Sequence, residues 1–213
     1  MKISYAITVC NEFDEICKLL NELIKDLKEQ KRFDIDEIVV LFDSNNGTEE
    51  VKTFLSGFKK LKEIKLVNFK FKGHFADLKN KLTSVCEGDY IFQIDADELH
   101  HPDLVKVLPL VLQDNPTIDV FRVPRKNVVK GLTKEHLLKW GWNINAAGYV
   151  NFPDYQWRCY RNSSTIKWIN KVHEVLTGYD EFGEFPPIKE FCLLHEKTIE
   201  RQEKQNKYYN TLQ

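Results

Sequence analysis

Ile3, Tyr5, Ile7 and Val9 alternate with other residues in the period-two pattern of a buried strand, and Ile16, Leu19, Leu20, Leu23, Ile24 and Leu27 then recur at helical spacing. Between them Asn11, Glu12 and Asp14 offer N-capping oxygens, which places Cys10-Asn11-Glu12 at the strand's carboxyl end. The run Ile38-Val39-Val40-Leu41-Phe42 is continuously apolar, as suits a central parallel strand covered on both faces. It stops at Asp43-Ser44-Asn45-Asn46-Gly47-Thr48. Val51, Phe54, Leu55 and Phe58 predict a second helix, Ile64-Lys65-Leu66-Val67 a third strand, Phe75, Leu78, Leu82 and Val85 a third helix, and Tyr90 to Ile94 a fourth strand. Four strands separated by helices predict an α/β fold with a doubly wound, mostly parallel sheet. In such sheets ligands bind at the carboxyl ends of the strands.

From Pro102 the regularity fades. Pro102 suits the first turn of a helix carrying Leu104, Val105 and Leu108, and Val120-Phe121-Arg122-Val123 predicts another strand. Residues 136–168 hold His136, all four tryptophans (Trp140, Trp142, Trp157, Trp168), Gly141 and Gly148, so this stretch is expected to be irregular and rich in aromatic groups. Such rings either stack on sugars or bases from loops, or fill a mixed core. Phe191-Cys192-Leu193-Leu194 predicts a strand closed by His195, and a helical pattern runs from Ile199 to Leu212. No internal repeat or linker interrupts the chain, so residues 1–213 are expected to form one domain.

Composition narrows the partners. Thirty-one lysines and arginines balance 32 aspartates and glutamates, which leaves no global field for nucleic acid or an anionic membrane. No stretch approaches the ~20 apolar residues of a membrane span, and Met1-Lys2 leads directly into the first strand pattern, so a cytoplasmic protein without a transmembrane segment is expected. The five cysteines are odd in number, lack CxxC spacing and sit mostly in apolar runs, which predicts reduced, structural thiols.

The candidate chemistry lies at Asp95-Ala96-Asp97-Glu98, directly after the fourth strand. Carboxylates crowded at the end of a buried strand repel one another and lose hydration, and a hard divalent cation relieves both. A metal-diphosphate site is one reading; a polar turn whose acids cap the next element is the other. Asn46-Gly47-Thr48 has neither the Walker lysine nor GxGxxG spacing, which disfavours P-loop and dinucleotide folds.

Taken in order, Ile7-Thr8-Val9-Cys10-Asn11-Glu12, Ile38 to Ser44 and the string Gly88-Asp89-Tyr90-Ile91-Phe92-Gln93-Ile94-Asp95-Ala96-Asp97-Glu98 resemble the family-two glycosyltransferases of A-type fold. Arg158-Cys159-Tyr160-Arg161-Asn162, Trp168 to Glu174 and Leu194-His195-Glu196 resemble the bacterial branch related to lipopolysaccharide-core glucosyltransferases and peptide-glycosylating enzymes. The resemblance implies a nucleotide-sugar-binding half over residues 1–100 and an acceptor-binding half with a C-terminal helix over residues 101–213.

It further implies that Thr8, Asn11 and Glu12 lie along the base and ribose, that Asp43 hydrogen-bonds uracil, and that Lys79-Asn80 stands where relatives carry Arg-Asn against a phosphate. Cys10 replaces the tyrosine that usually flanks the base. Asp97 is the leading metal ligand; Asp95, with Ala96 beside it, comes second or contacts ribose. His195 resembles a late histidine that completes the metal shell, and imidazole favours manganese over magnesium. Glu174 is the expected catalytic base, with His173 orienting it or binding acceptor and Glu98 in reserve. The implied activity is inverting, metal-dependent transfer from a nucleotide sugar, UDP-linked inasmuch as Asp43 suits uracil, to a saccharide, lipid-linked saccharide or protein acceptor. Two rival classes are a nucleotidyltransferase, which calls for a basic Gly-rich loop where Cys10 to Asp14 is acidic, and a non-catalytic sugar-nucleotide or carbohydrate-binding module, which could dispense with the acids that are present here.

Overall fold

The computed structural model describes residues 1–212. Strands and helices alternate as β1 (Ile3–Val9), α1 (Phe13–Glu29), β2 (Glu37–Asp43), α2 (Glu49–Ser56), β3 (Ile64–Phe69), α3 (Phe75–Thr83) and β4 (Tyr90–Asp95). These four strands pair in parallel in the order β3-β2-β1-β4. Ile3, Tyr5, Ile7 and Val9 of β1 pack with α1, α2 and Leu104, Val105, Leu108 and Leu112 on one face. Ala6, Val39 and Leu41 face the opposite core, with Leu78 and Leu82 of α3. Burying each such leucine contributes on the order of 2 kcal/mol, so covering both faces holds the sheet together.

The second part departs from the expected pattern. After the short β5 (Glu98–Leu99) and α4 (Pro102–Asp114), β6 (Val120–Lys130) is far longer than the four residues its apolar run marks. Helix α5 (Lys134–Trp140) leads to β7 (Val150–Arg161), a twelve-residue strand within the stretch expected to be irregular. β7 inserts antiparallel between β4 and β6, so the sheet is parallel only up to β4 and mixed beyond it. A small hairpin of β8 (Lys167–Ile169) and β9 (Val175–Thr177) covers α3, and β10 (Phe182–Glu184) pairs with β6. β11 (Leu193–Thr198) lies parallel to β6, and α6 (Ile199–Leu212) follows it directly. His195 therefore sits inside a strand, in register with Asn127, instead of closing one.

Candidate functional site

The carboxyl ends of β1, β2 and β4 open into one cavity of about 1210 Å³. Residues of β6, β7 and β11 form its far wall and α6 its roof. Alternation along the wall strands aims polar groups inward at i, i+2: Arg125 and Asn127 on β6, Asp154, Gln156 and Arg158 on β7, His195 and Lys197 on β11.

At the end of β4 the two aspartates separate. Asp95 Oδ2 accepts from the buried Arg158 Nη2 at 2.6 Å, and Oδ1 faces Thr8 Oγ1 and Gln93 Nε2, each at 3.4 Å. Burial raises this carboxyl, but Arg158 and Lys79 outweigh it and bring the pKa down to about 2. Asp97 turns the other way, with Oδ2 3.3 Å from His195 Nε2 and 3.3 Å from Arg201 Nη2. Burial opposes its charge too, and His195 and Arg201 overcome it, so Asp97 lies well below the usual carboxylate range. The expected grouping of Asp95 with Asp97 and His195 is thus not formed: Arg158 draws Asp95 away, and among the described residues no three His, Cys, Asp or Glu side chains are gathered to hold an ion.

His195 is fixed from behind. Asn127 Nδ2 donates to Asp154 Oδ2 at 2.7 Å, which leaves its Oδ1 to accept from His195 Nδ1 at 2.8 Å. With Nδ1 as donor, Nε2 faces the Asp97 carboxylate oxygen, which Arg201 also reaches. A proton or a cation between Nε2 and the carboxylate satisfies both groups. An N,O pair of this kind fits a divalent transition ion that takes its remaining ligands from diphosphate oxygens or water.

Glu98 is no base. Fully buried, it receives Arg125 at 2.9 Å, Arg158 at 2.6 Å and the Asp95 N–H at 3.1 Å. It is the anchor of a buried network in which Arg158 joins Asp95 to Glu98, and Arg125 joins Glu98 to Asp154. Asp154 is equally occupied, by Arg125, Asn127 and Gln156. Glu174 differs from both. It lines the cavity, and among the described residues its carboxylate makes only one ion pair, to Lys79 Nζ at 3.8 Å.

Lys79 lies against Glu174 and over the Trp168 ring at 4.6 Å, so its charge answers a carboxylate within the wall. Asn80 does not reach the cavity; its amide brackets the Trp168 backbone at 2.8 and 2.9 Å and ties α3 to β8. His173 has φ 55° and turns its ring against Tyr209 at 5.8 Å, and no hydrogen bond joins it to Glu174 among the described residues. The group that pairs with Glu174 is Lys79. All four tryptophans line the cavity, and Trp168 is in addition buried in the core beneath it.

On the β1 and β2 side, Glu12 does not cap α1. Its Oε2 folds back to accept from the Cys10 and Asn11 amides at 2.8 and 3.0 Å. Asn11 is exposed on the rim, and the Ala96 amide donates to Thr8 O at 3.3 Å, which closes β4 onto β1. Asp43 Oδ1 accepts from the Asn45 and Phe71 amides at 2.9 and 3.2 Å and so shapes its own loop. Oδ2 takes Asn46 Nδ2 at 2.7 Å and a long contact from Cys10 Sγ at 3.9 Å. Burial, then Glu12 and Asp43, push the Cys10 thiol up to about 12, which leaves it a neutral donor.

The network of Arg125, Asn127, Asp154, Arg158 and Arg201 was not foreseen from sequence. The one available signal was the i, i+2 alternation of polar residues in 125–127 and 154–158. The family model described as Glycosyl transferase family 2 matches residues 4–171. No match was found among curated protein sequences. Among solved structures, the fold is similar to S. aureus TarS 1-349, with a TM-score of 0.63 at 15% identity over 92% of this chain and 60% of that chain. The complex of the same protein with UDP-GlcNAc gives 0.64 at 16% over 92% and 59%, and that with UDP gives 0.63 at 15% over 100% and 65%. This chain therefore spans less than two thirds of those structures' length, and at such identity the likeness concerns the fold.

Proposed function

Because the chain belongs to glycosyl transferase family 2, we propose that it is an inverting, divalent-metal-dependent glycosyltransferase that takes a sugar from a uridine diphosphate donor. The sheet and its helices have the A-type glycosyltransferase fold. The observation that carries the reading is the meeting of the Asp97–His195 pair with Asp43 and Glu174 in one cavity. A uridine nucleotide is supported by the place of Asp43 in the cavity wall, where an imide N–H would replace the long Cys10 thiol contact, and by the UDP and UDP-GlcNAc bound in the TarS structures of similar fold.

Asp97 Oδ and His195 Nε2 would hold the ion beside the donor diphosphate. A divalent ion there supplies Lewis-acid charge to the departing nucleoside diphosphate. Asp95, kept ionised by Arg158, lies between Thr8 and the metal acid, where a ribose hydroxyl can donate to it. Glu174 takes the proton of the acceptor hydroxyl as its oxygen attacks the anomeric carbon opposite the diphosphate, and the sugar inverts. Lys79 holds that carboxylate in place. The acceptor, a saccharide, lipid-linked saccharide or protein, approaches past Trp140, Trp142 and Trp157, whose faces suit sugar rings.

The test is a screen of nucleotide sugars for hydrolysis with manganese present. Release of UDP from a UDP-sugar, abolished by chelator, is expected. A preference for guanosine or adenosine donors would overturn the assignment of Asp43.

A further inference from the structure

Helix α6 is an unusual roof. Its hydrophobic residues are few, and the face it lays over the cavity is polar: Arg201, Gln202, Gln205, Asn206, Tyr208 and Tyr209. At its start Ile199 joins Val129 and Val150 in a small core, and towards its end Leu212 lies close to Gly73. A helix that spends its inward face on hydrogen-bonding and aromatic groups above a large cavity is built to meet a ligand, because core packing calls for apolar residues there.

The two tyrosines near its end differ. Tyr209 is committed: its hydroxyl accepts from Gln205 at 2.9 Å and its ring packs edge-on against Phe75 at 5.7 Å and His173 at 5.8 Å. Tyr208 is 43% exposed, and among the described residues its side chain makes no hydrogen bond. It shares the cavity wall with Cys10, Asp43 and Asn46. Partial burial and then the nearby Asp43 and Cys10 raise its phenol, in keeping with that position. Meanwhile the first strand end, Thr8-Val9-Cys10-Asn11-Glu12, contains no aromatic ring to stack a base.

We infer that Tyr208, delivered by the C-terminal helix, is the stacking platform for the donor's nucleobase, so that one residue on α6 completes the base pocket begun by Asp43 on β2. The inference rests on the nucleotide-binding reading of this cavity. A flat heterocycle held at its edge by Asp43 presents its face to the wall, and an open tyrosine ring is the group that rewards that face. Binding of a nucleotide then also fastens α6 over the site.

Calorimetric titration with UDP and Mn²⁺ tests this on the parent chain, Tyr208→Ala and Tyr208→Phe, each repeated with inorganic pyrophosphate and Mn²⁺. Loss of a base–aromatic stack weakens UDP binding by about 5- to 150-fold in Tyr208→Ala. Pyrophosphate affinity should not change, and Tyr208→Phe should restore UDP affinity. Equal UDP affinity in Tyr208→Ala overturns the inference while leaving the site's nucleotide reading intact. Equal losses for UDP and pyrophosphate overturn it in favour of a helix-closing role. Failure of the parent chain to bind UDP overturns the nucleotide reading and this inference with it.

Discussion

Asn127 Oδ1 lies 2.8 Å from His195 Nδ1, and this one contact decides which face of the imidazole is offered to Asp97. The Asn127 amide cannot flip without losing its 2.7 Å bond to Asp154, so the hydrogen on His195 Nδ1 is set from a residue outside the proposed Asp97–His195 metal pair. Replacing Asn127 by leucine removes that acceptor while filling similar space. We expect the manganese concentration that half-saturates UDP binding to rise by about 10- to 100-fold, as is typical when the partner of a ligating histidine is lost. An unchanged manganese dependence would show that the ring is held by other means.

Arg158 is buried between Asp95 and Glu98, at 2.6 Å from each. Substitution by methionine strands the fully buried Glu98 with only Arg125, and uncompensated buried charges of this kind cost about 3–5 kcal/mol. Urea unfolding should register that loss. The pH dependence adds a second readout. Asp95 is lowered from an ordinary value of 3.8 to about 2, so its contribution to stability is complete above about pH 4 and is lost as pH falls through about 2. In Arg158→Met the largest favourable partner is gone, and the acid limb of the stability profile should be correspondingly shallower. A parallel, undiminished acid limb would assign it to other carboxylates.

The first four strands were legible because both of their faces are buried by helices, which leaves uninterrupted apolar runs such as Ile38 to Phe42. β7 was not, because Asp154, Gln156 and Arg158 occupy the inward positions that would otherwise carry the apolar half of the alternation. The strand is amphipathic in the wrong sense for a sequence reader: its polar face meets a cavity, not solvent. The same cause hid the site's wall. Glu98 and Asp97 are neighbours in a run of acids, yet one is locked between two arginines and the other faces histidine, a distinction that depends on Arg125 and Arg158 in strands remote in sequence. Asp43 and Asp97 stand out because each ends or follows an apolar strand, and Glu174 is reached only through the resemblance; the partners of all three depend on strands remote in sequence.

Asp43 combines two jobs on its two oxygens. Oδ1 organises the loop through the Asn45 and Phe71 amides, while Oδ2 takes Asn46 Nδ2 and only a long contact from Cys10 Sγ, which a ligand N–H would replace. Asp43→Asn keeps an acceptor for the loop and turns the other position into a donor. Because a hydrogen bond to a charged group contributes about 1.5–3 kcal/mol, UDP affinity should fall by about 10- to 150-fold. A cytidine diphosphate, whose base offers an acceptor at that edge, should lose less. Competition by the series of nucleoside diphosphates measures the ranking, and a uniform loss across all bases would assign Asp43 to the loop alone.

Glu174 lines the cavity with a single ion pair, to Lys79, whereas Glu98 and Asp154 are held by several donors that include Arg125, and a base needs the looser engagement. Glu174→Gln retains shape and the polar contact near Lys79 but cannot take a proton. Donor affinity should hold, and turnover on a genuine acceptor should fall by about 10²–10⁴-fold. Thermal unfolding separates this from a structural role, because loss of the partly buried pair with Lys79 alone would lower the melting temperature and leave the turnover of folded enzyme nearly intact. Lys79→Met supplies the complementary case. It removes the ammonium that positions Glu174 while sparing the carboxylate, so it should reduce turnover by less than Glu174→Gln does. Water can attack without the acceptor's base, so the comparison is made on sugar transfer and not on donor hydrolysis. Full transfer activity in Glu174→Gln would remove it from the chemistry, and, with Glu98 sealed between Arg125 and Arg158, would direct attention to Asp97 and Asp95 at the end of β4.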